Sequence, residues 1–304
     1  MDFTRYTPGA FAGRELVRHG ARVVRVEAPG GDPLRDAAPE WNEQLNAGKE
    51  SVVCDLKADP SLALALLARA DVVLEGFRPG VAERLGIGPD AAPDTAVYCS
   101  ITGFGHEGRH ASRAGHDVNY VGWAGLLEDS APAVPPIQIA DLAAGALGAV
   151  SEILAALLER TRTGAGKRIV VSMAHRSHEL AEPPPRRLNG TLACYRIYRT
   201  ADGRALTVGA LEPVFFRRLC ELLDVPELGE RQFDPDQESL AARFAELFAG
   251  HPLATWLERF DGEDVCVGPV ATLAEAKSEF ATTFSGRAPA LGEHTEQWRS
   301  DLRL

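Results

Sequence analysis

Residues 51–80 read SVVCDLKADPSLALALLARADVVLEGFRPG. Ser51 to Leu56 is a β-branched run, and Asp71 to Phe77 is a second one. Between them Asp59 to Ala70 carries a helical pattern, with Pro60 in its first turn where a missing N–H costs nothing. Strand, helix, strand over thirty residues is the signature of a parallel crossover unit. The pattern repeats outward. Val23 to Glu27, Ala96 to Phe104 and Arg168 to Met173 read as strands, and Pro8 to His19 and Ala140 to Arg160 as helices. This predicts an α/β fold with a mostly parallel sheet covered on both faces. Only Met1 to Thr4 precede the turn at Thr7-Pro8-Gly9, so the opening strand is stunted.

Ala181 to Gly190 (AEPPPRRLNG) can be neither helix nor central strand and reads as a linker. Beyond it, Cys194 to Arg199 and Ala205 to Gly209 form a strand pair hinged at Asp202-Gly203. Helical patterns follow at Pro213 to Leu223, Leu240 to Ala249 and Leu253 to Phe260. The expected organisation is a large domain over 1–180, a linker over 181–190 and a smaller α+β domain over 191–280. The stretch from Ser285 is punctuated by Pro and Gly, then polar.

The 304 residues are 45% hydrophobic and 25% charged, with net charge −11. The acidic balance argues against nucleic acid and anionic membrane surfaces as partners. Cys54, Cys99, Cys194, Cys220 and Cys266 lack metal-ligand spacing, so free thiols, no metal site and a cytoplasmic location are expected. No apolar signal region opens the chain, and no apolar run is expected to approach the roughly 20 residues that span a bilayer.

Two residues suit proton transfer. His116, in Ala114-Gly115-His116-Asp117, follows a glycine in a loop and titrates near neutral pH. Asp141 begins a long apolar helix. Taken alone it reads first as a helix cap, and second as a base beside free backbone N–H groups able to steady an enolate oxygen. The small residues Ala143, Ala144 and Gly145 would let a ligand approach closely. Asp117 is placed to orient His116, and Glu212 stands where a strand gives way to a helix. Arg78 lies just past a strand's carboxyl end, where open α/β sheets bind ligands, and Arg84 sits one helical turn on. Gly103-Phe104-Gly105 comes after the next strand and would admit a ligand to the backbone. Walker, GxGxxG, HExxH and GxSxG motifs are absent.

The segments GARVVRVEAPGGDP, DLKADP, ADVVLEGFRPGVAERLGIGP, SITGFGHEG, AGHDVNY, IADLAAG and YRIYRTADGRALTVGALEPVFF occur in this order. Together they resemble the class III CoA-transferase superfamily, in its α-methylacyl-CoA racemase-like branch, over nearly the whole chain. The resemblance implies a Rossmann-like large domain and a smaller domain, with 281–304 returning to the large one. It also implies two chains interlocked as a homodimer. Asp141 then matches the family's reactive carboxylate, His116 the second base, Glu212 the residue bonding that histidine and Asp117 the supporting aspartate. Arg78, Arg84, Lys49, Lys57, Cys54 and Gly105 are expected to hold coenzyme A, which enters as part of an acyl-CoA substrate with no separate cofactor. The implied activity is removal and return of an α-proton of an acyl thioester. The alternatives are CoA transfer with Asp141 as nucleophile, or action on a carrier-bound thioester. Ala28, Ala47 and Glu50 stand where relatives are often basic. At roughly 1.5–3 kcal/mol per charge-assisted bond, that predicts coenzyme A binding weakened on the order of a hundredfold.

Overall fold

The computed structural model describes residues 1–181, 188–280 and 286–304. The chain divides into two units, Met1–Glu182 with Phe284–Leu304, and Pro183–Thr283. The expected linker lies largely at 182–187, outside the described residues.

In the first unit, β1 (Val24–Glu27) pairs in parallel with β2 (Glu50–Val53). A second parallel ladder runs β3 (Val72–Glu75), β4 (Val97–Thr102), β5 (Lys167–Ser172). The stunted opening strand joins them. Asp2 bridges Arg25 of β1 and Leu74 of β3. Asp2 N–H donates to Val24 O (2.8 Å), and Val26 N–H to Asp2 O (2.9 Å). On the other side Phe3 N–H donates to Leu74 O (2.8 Å), and Leu74 N–H to Met1 O (2.9 Å).

Both faces of the central strand β4 are buried, as its continuous apolar run requires. Val97, Cys99 and Ile101 of β4 face a core shared with helices Thr7–Arg18 and Gly148–Thr163. Tyr98 points the other way, into a cluster with Leu62, Leu66 and Ile87. The edge strand β2 is covered by the chain's last segment. His294 N–H donates to Ser51 O (2.9 Å), Val53 N–H to Thr295 Oγ1 (2.9 Å), and Trp298 Nε1 to Glu50 Oε2 (2.7 Å). Such cover removes an unpaired strand edge. The segment also holds a helix, Thr295–Leu302, which its polar sequence does not announce.

Ala140–Thr163 is one 24-residue helical run, long and apolar enough by length and composition to cross a membrane. That corrects the sequence expectation that no apolar run approaches the roughly 20 residues that span a bilayer. Ala149, Val150, Ile153 and Ala156 of this run pack in the core of the unit.

The second unit is an antiparallel sheet of β6 (Tyr195–Arg199), β7 (Ala205–Gly209) and β8 (Val267–Pro269). Helices Pro213–Leu222, Gln237–Phe248 and Leu253–Arg259 bury Phe216, Phe244, Phe248 and Trp256 against it.

Lys49 differs most from its sequence reading. It is inside the first unit, not on a ligand wall. Its Nζ donates to Ala10 O (2.7 Å) and Asn46 Oδ1 (3.0 Å) and pairs with Asp2 Oδ2 at 3.7 Å. Gly13 makes room for it, since a Cβ there would lie 2.7 Å from Nζ. Burial pulls the ammonium down to about 7. Removing one member of a buried pair strands the other's charge. Lys49→Met should therefore lower unfolding free energy by about 3–5 kcal/mol in urea titration. Adding Asp2→Asn should restore part of it, and a fully stable single variant would contradict this reading.

Candidate active site

A cavity of about 710 Å³ opens along the carboxyl ends of the parallel strands. Its walls are the segments just past each strand: Thr4 to Thr7 after the Asp2 segment, Gly76 to Pro79 after β3, Gly103 after β4 and Met173 after β5. Ala114 to His116, Asn119, Tyr120 and Asp141 complete it, so His116 and Asp141 border one space.

His116 is the N-cap residue of helix Asp117–Trp123 and is exposed on the cavity wall. Its backbone N–H donates to Asn119 Oδ1 (3.0 Å), while Asn119 N–H donates to His116 O (2.8 Å). This reciprocal pair fixes the helix start. The sequence suggests only a loop here.

Asp141 is buried in the first turn of a π-helical segment, Ala140–Leu147, that leads into Gly148–Thr163. Such widened turns recur at functional sites. Its backbone N–H donates to Asp117 Oδ1 (2.9 Å). Burial, aided by the Asp117 charge, pushes its carboxyl up to about 7. Asp117 is itself buried and borders the cavity nowhere. It links the starts of the two helices that carry His116 and Asp141.

The helix start does not supply the donors that the sequence suggests for an enolate. Asp141 N–H is taken by Asp117, and Leu142 N–H by Gln138 O (3.0 Å). Nor is Gly145 open to a ligand. A Cβ on Gly145 would lie 2.9 Å from Met173 Cγ, so that glycine serves helix packing. Donors on the cavity wall include instead the Asn119 and Gln138 amides and the side chains of Arg5, Arg78 and Arg113.

A neighbouring cavity of about 410 Å³ shares Thr4, Arg5 and Phe77 with the first. Ala28, Cys54, Leu56 and Lys57 line it. Cys54 is buried, with Sγ donating to Asp59 O (3.3 Å), and burial raises its thiol. Arg84 is exposed at the end of the short helix Val81–Arg84, off the walls of both cavities. Gly105 is also off both walls. It takes φ +88 in a turn whose N–H donates to Thr102 Oγ1 (2.9 Å). Glu212 belongs to the second unit, exposed at the N-cap position of Pro213–Leu222.

Arg5 escapes the sequence because its strand is too short to read as one. The rule that picks Arg78, an arginine just past a strand's carboxyl end, picks Arg5 once that strand is recognised. Of the three positions lacking a basic residue, Ala28 borders the smaller of these two cavities and Ala47 and Glu50 border neither. Ala47 is buried, and Glu50 starts β2 at the opposite edge, paired with Arg22 (2.7 Å).

Sequence comparison extends these observations. The family model for CoA-transferase family III matches residues 1–286. The chain is 36% identical to the α-methylacyl-CoA racemase of Homo sapiens over 301 residues, which is 90% of this chain and 77% of that protein. It is 34% identical to a probable fatty acyl-CoA transferase of Mycobacterium tuberculosis, Rv3272, covering 84% of this chain and 75% of that one. It is 30% identical to the succinyl-CoA:glutarate CoA-transferase of Mus musculus, covering 94% of this chain and 74% of that protein. A crystal structure of Rv3272 superposes with TM-score 0.86 at 29% identity, covering 98% of this chain and 96% of that chain. A CAIB/BAIF family protein from Brucella suis gives 0.83 at 26%, covering 99% and 97%. The α/β fold is thus that of a known family, and the chain belongs to CoA-transferase family III.

Proposed function

We propose that this protein is an acyl-CoA racemase of the α-methylacyl type, working as a cytoplasmic homodimer with a Rossmann-like large domain. One observation carries the reading: His116 and Asp141 border a single cavity, and the Asp141 carboxyl is held up to about 7, in the range where an imidazole also titrates. An imidazole and a carboxyl raised this far can exchange acid and base roles across one space.

The neutral His116 imidazole takes the α-proton of the thioester. The C–H electron pair moves onto the carbonyl oxygen as an enolate, and protonated Asp141 delivers a proton to the opposite face. The reverse direction starts from ionised Asp141 and protonated His116. The Asn119 amide and Arg78 are assigned to the enolate oxygen, because they are donors on the cavity wall. Arg5 and Lys57, with Arg78, are assigned to the anionic part of coenzyme A, since these cations line the two adjoining cavities. Glu212 is assigned the support of His116 on resemblance to the racemase branch. Likeness to transferases keeps a second reading open, with Asp141 as acyl-accepting nucleophile.

Incubation of a 2-methyl-branched acyl-CoA in deuterated buffer should place deuterium at Cα and racemise it. His116→Ala and Asp141→Asn should each abolish inversion. No exchange, with acyl-CoA binding shown by calorimetry, would sink the racemase reading. Hydroxylamine capture of an Asp141 acyl anhydride would install the transferase reading in its place.

The raised carboxyl also sets a pH dependence of stability. The Asp141 pKa stands at about 7 in the folded chain, against an ordinary value of 3.8. Between those values the folded state binds more protons than the unfolded one, so stability falls as pH rises through that window. Asp141→Asn removes the penalty. Its melting temperature should exceed the parent's at pH 8, by a free energy on the order of a few kcal/mol, and the gap should close by pH 4. An equal gap at both pH values would show that the carboxyl titrates normally.

A further inference from the structure

We propose that Tyr120 is a positioning residue for His116 and sets the proton-transfer competence of one face of the substrate only. The inference rests on the two-base reading above.

Tyr120 is buried, and its ring is clamped between two glycines. A Cβ on Gly103 would lie 2.5 Å from Tyr120 Cε1, and one on Gly115 would lie 2.8 Å from the same atom. Neither glycine owes its place to backbone conformation, since neither takes a positive φ. They are there for the ring. Gly103 comes directly after β4 and is anchored in turn, its carbonyl accepting from Ala174 N–H (2.9 Å). Phe104 meets the ring edge-on at 5.2 Å between centroids.

The core needs only a ring here. The hydroxyl does something more specific, donating to Gly115 O at 2.6 Å. That carbonyl belongs to the peptide immediately before His116. Tyr120 N–H donates to His116 O (3.2 Å), so Tyr120 grips the backbone on both sides of the histidine. Asp141 is held by other means, through its N–H bond to Asp117 and its place in the helix. The two residues thus meet at Asp117, but the Tyr120 hydroxyl bonds only the backbone beside His116. His116 is exposed on a short segment, so its aim depends on that segment far more than buried Asp141 depends on Tyr120.

A hydroxyl that bonds only the peptide before His116 predicts a face-selective defect. Inversion crosses both bases, so thermodynamics requires any slowing of kcat/KM to be equal in both directions. Exchange with retention uses one base at a time and tells the faces apart. Each enantiomer of a 2-methyl-branched acyl-CoA would be followed in deuterated buffer by mass spectrometry. His116→Ala identifies the enantiomer whose proton that residue removes. With Tyr120→Phe, exchange of that enantiomer should fall about tenfold to a hundredfold, the scale of a misplaced catalytic group. Exchange of the other enantiomer should stay within about twofold, as expected when its base keeps its geometry. Gly115→Ala, which presses on the same ring, should show the same selectivity and decides the matter if Tyr120→Phe does not fold. Equal losses on both faces, or no loss on either, overturn the proposal. If the unsubstituted protein exchanges neither enantiomer, the two-base reading itself fails and the assignment falls with it.

Discussion

Asp2 is the residue on which this architecture turns. Its backbone closes two parallel ladders into one layer, bonding β1 on one side while its neighbours Met1 and Phe3 bond β3 on the other. Its side chain sits in the core, where one oxygen accepts from Thr4 N–H and Oγ1–H and the other faces Lys49. A carboxylate so placed is tolerable only with a counter-charge and hydrogen bonds around it. Those requirements fix its surroundings: Lys49 drawn inward, Gly13 left without a side chain to admit the ammonium, and Thr4 folded back onto Asp2. The chain then emerges at Arg5 in the middle of the sheet's carboxyl edge. There Arg5 separates and joins the two cavities. A strand of minimal length thus decides where the ligand edge lies and places a cation at its centre.

His116 and Asp141 border the cavity in different surroundings, the first exposed and the second buried. Desolvation does most of the work of raising the Asp141 carboxyl, with Asp117 adding like charge. Asp117 acts twice. Its charge disfavours ionisation of Asp141, and its oxygen accepts the Asp141 N–H and so fixes the backbone that carries the carboxyl. Geometry and proton affinity are set by one contact, which leaves little room to change one without the other.

Much of the fold is readable in the sequence because parallel strands buried on both faces leave dense β-branched runs, as in Val72-Val73-Leu74. The parts that escape reading do so for physical causes. Helix Asp117–Trp123 contains two valines, a tyrosine, a glycine and a tryptophan, all poor helix formers, and exists because Tyr120 and Val121 find buried sites. β8 is only Val267-Gly268-Pro269, whose glycine and proline read as a turn, and it is a strand through pairing with β7. Lys49 reads as outward-facing because lysine is so rarely fully buried. Tertiary context overrides local preference in all three. At the site, the sequence marks His116 and Asp141 through residue type and motif. It marks neither Arg5 nor Tyr120, since the first lies past an unrecognisable strand and the second acts through a carbonyl bond that no side-chain pattern encodes.

The placement of charge also revises the argument about coenzyme A. Alanine and glutamate in a usually basic run suggest a weakened grip. Glu50 proves to be at the amino end of β2, where it binds Arg22 and the Trp298 indole and holds the final helix over the sheet edge. An acid there stabilises the fold and faces no ligand. Ala47 is buried, and Lys49 answers Asp2. For an anionic ligand the cations that line its space matter most. Arg5, Arg78 and Arg113 border the larger cavity, where Asp141 is the only acid among the described residues and is itself half protonated near neutral pH. Lys57 and Arg5 border the smaller one. Counting basic residues along a motif therefore understates the positive field at the strand ends. The field comes from single arginines at the tips of separate strands, which only the fold brings together.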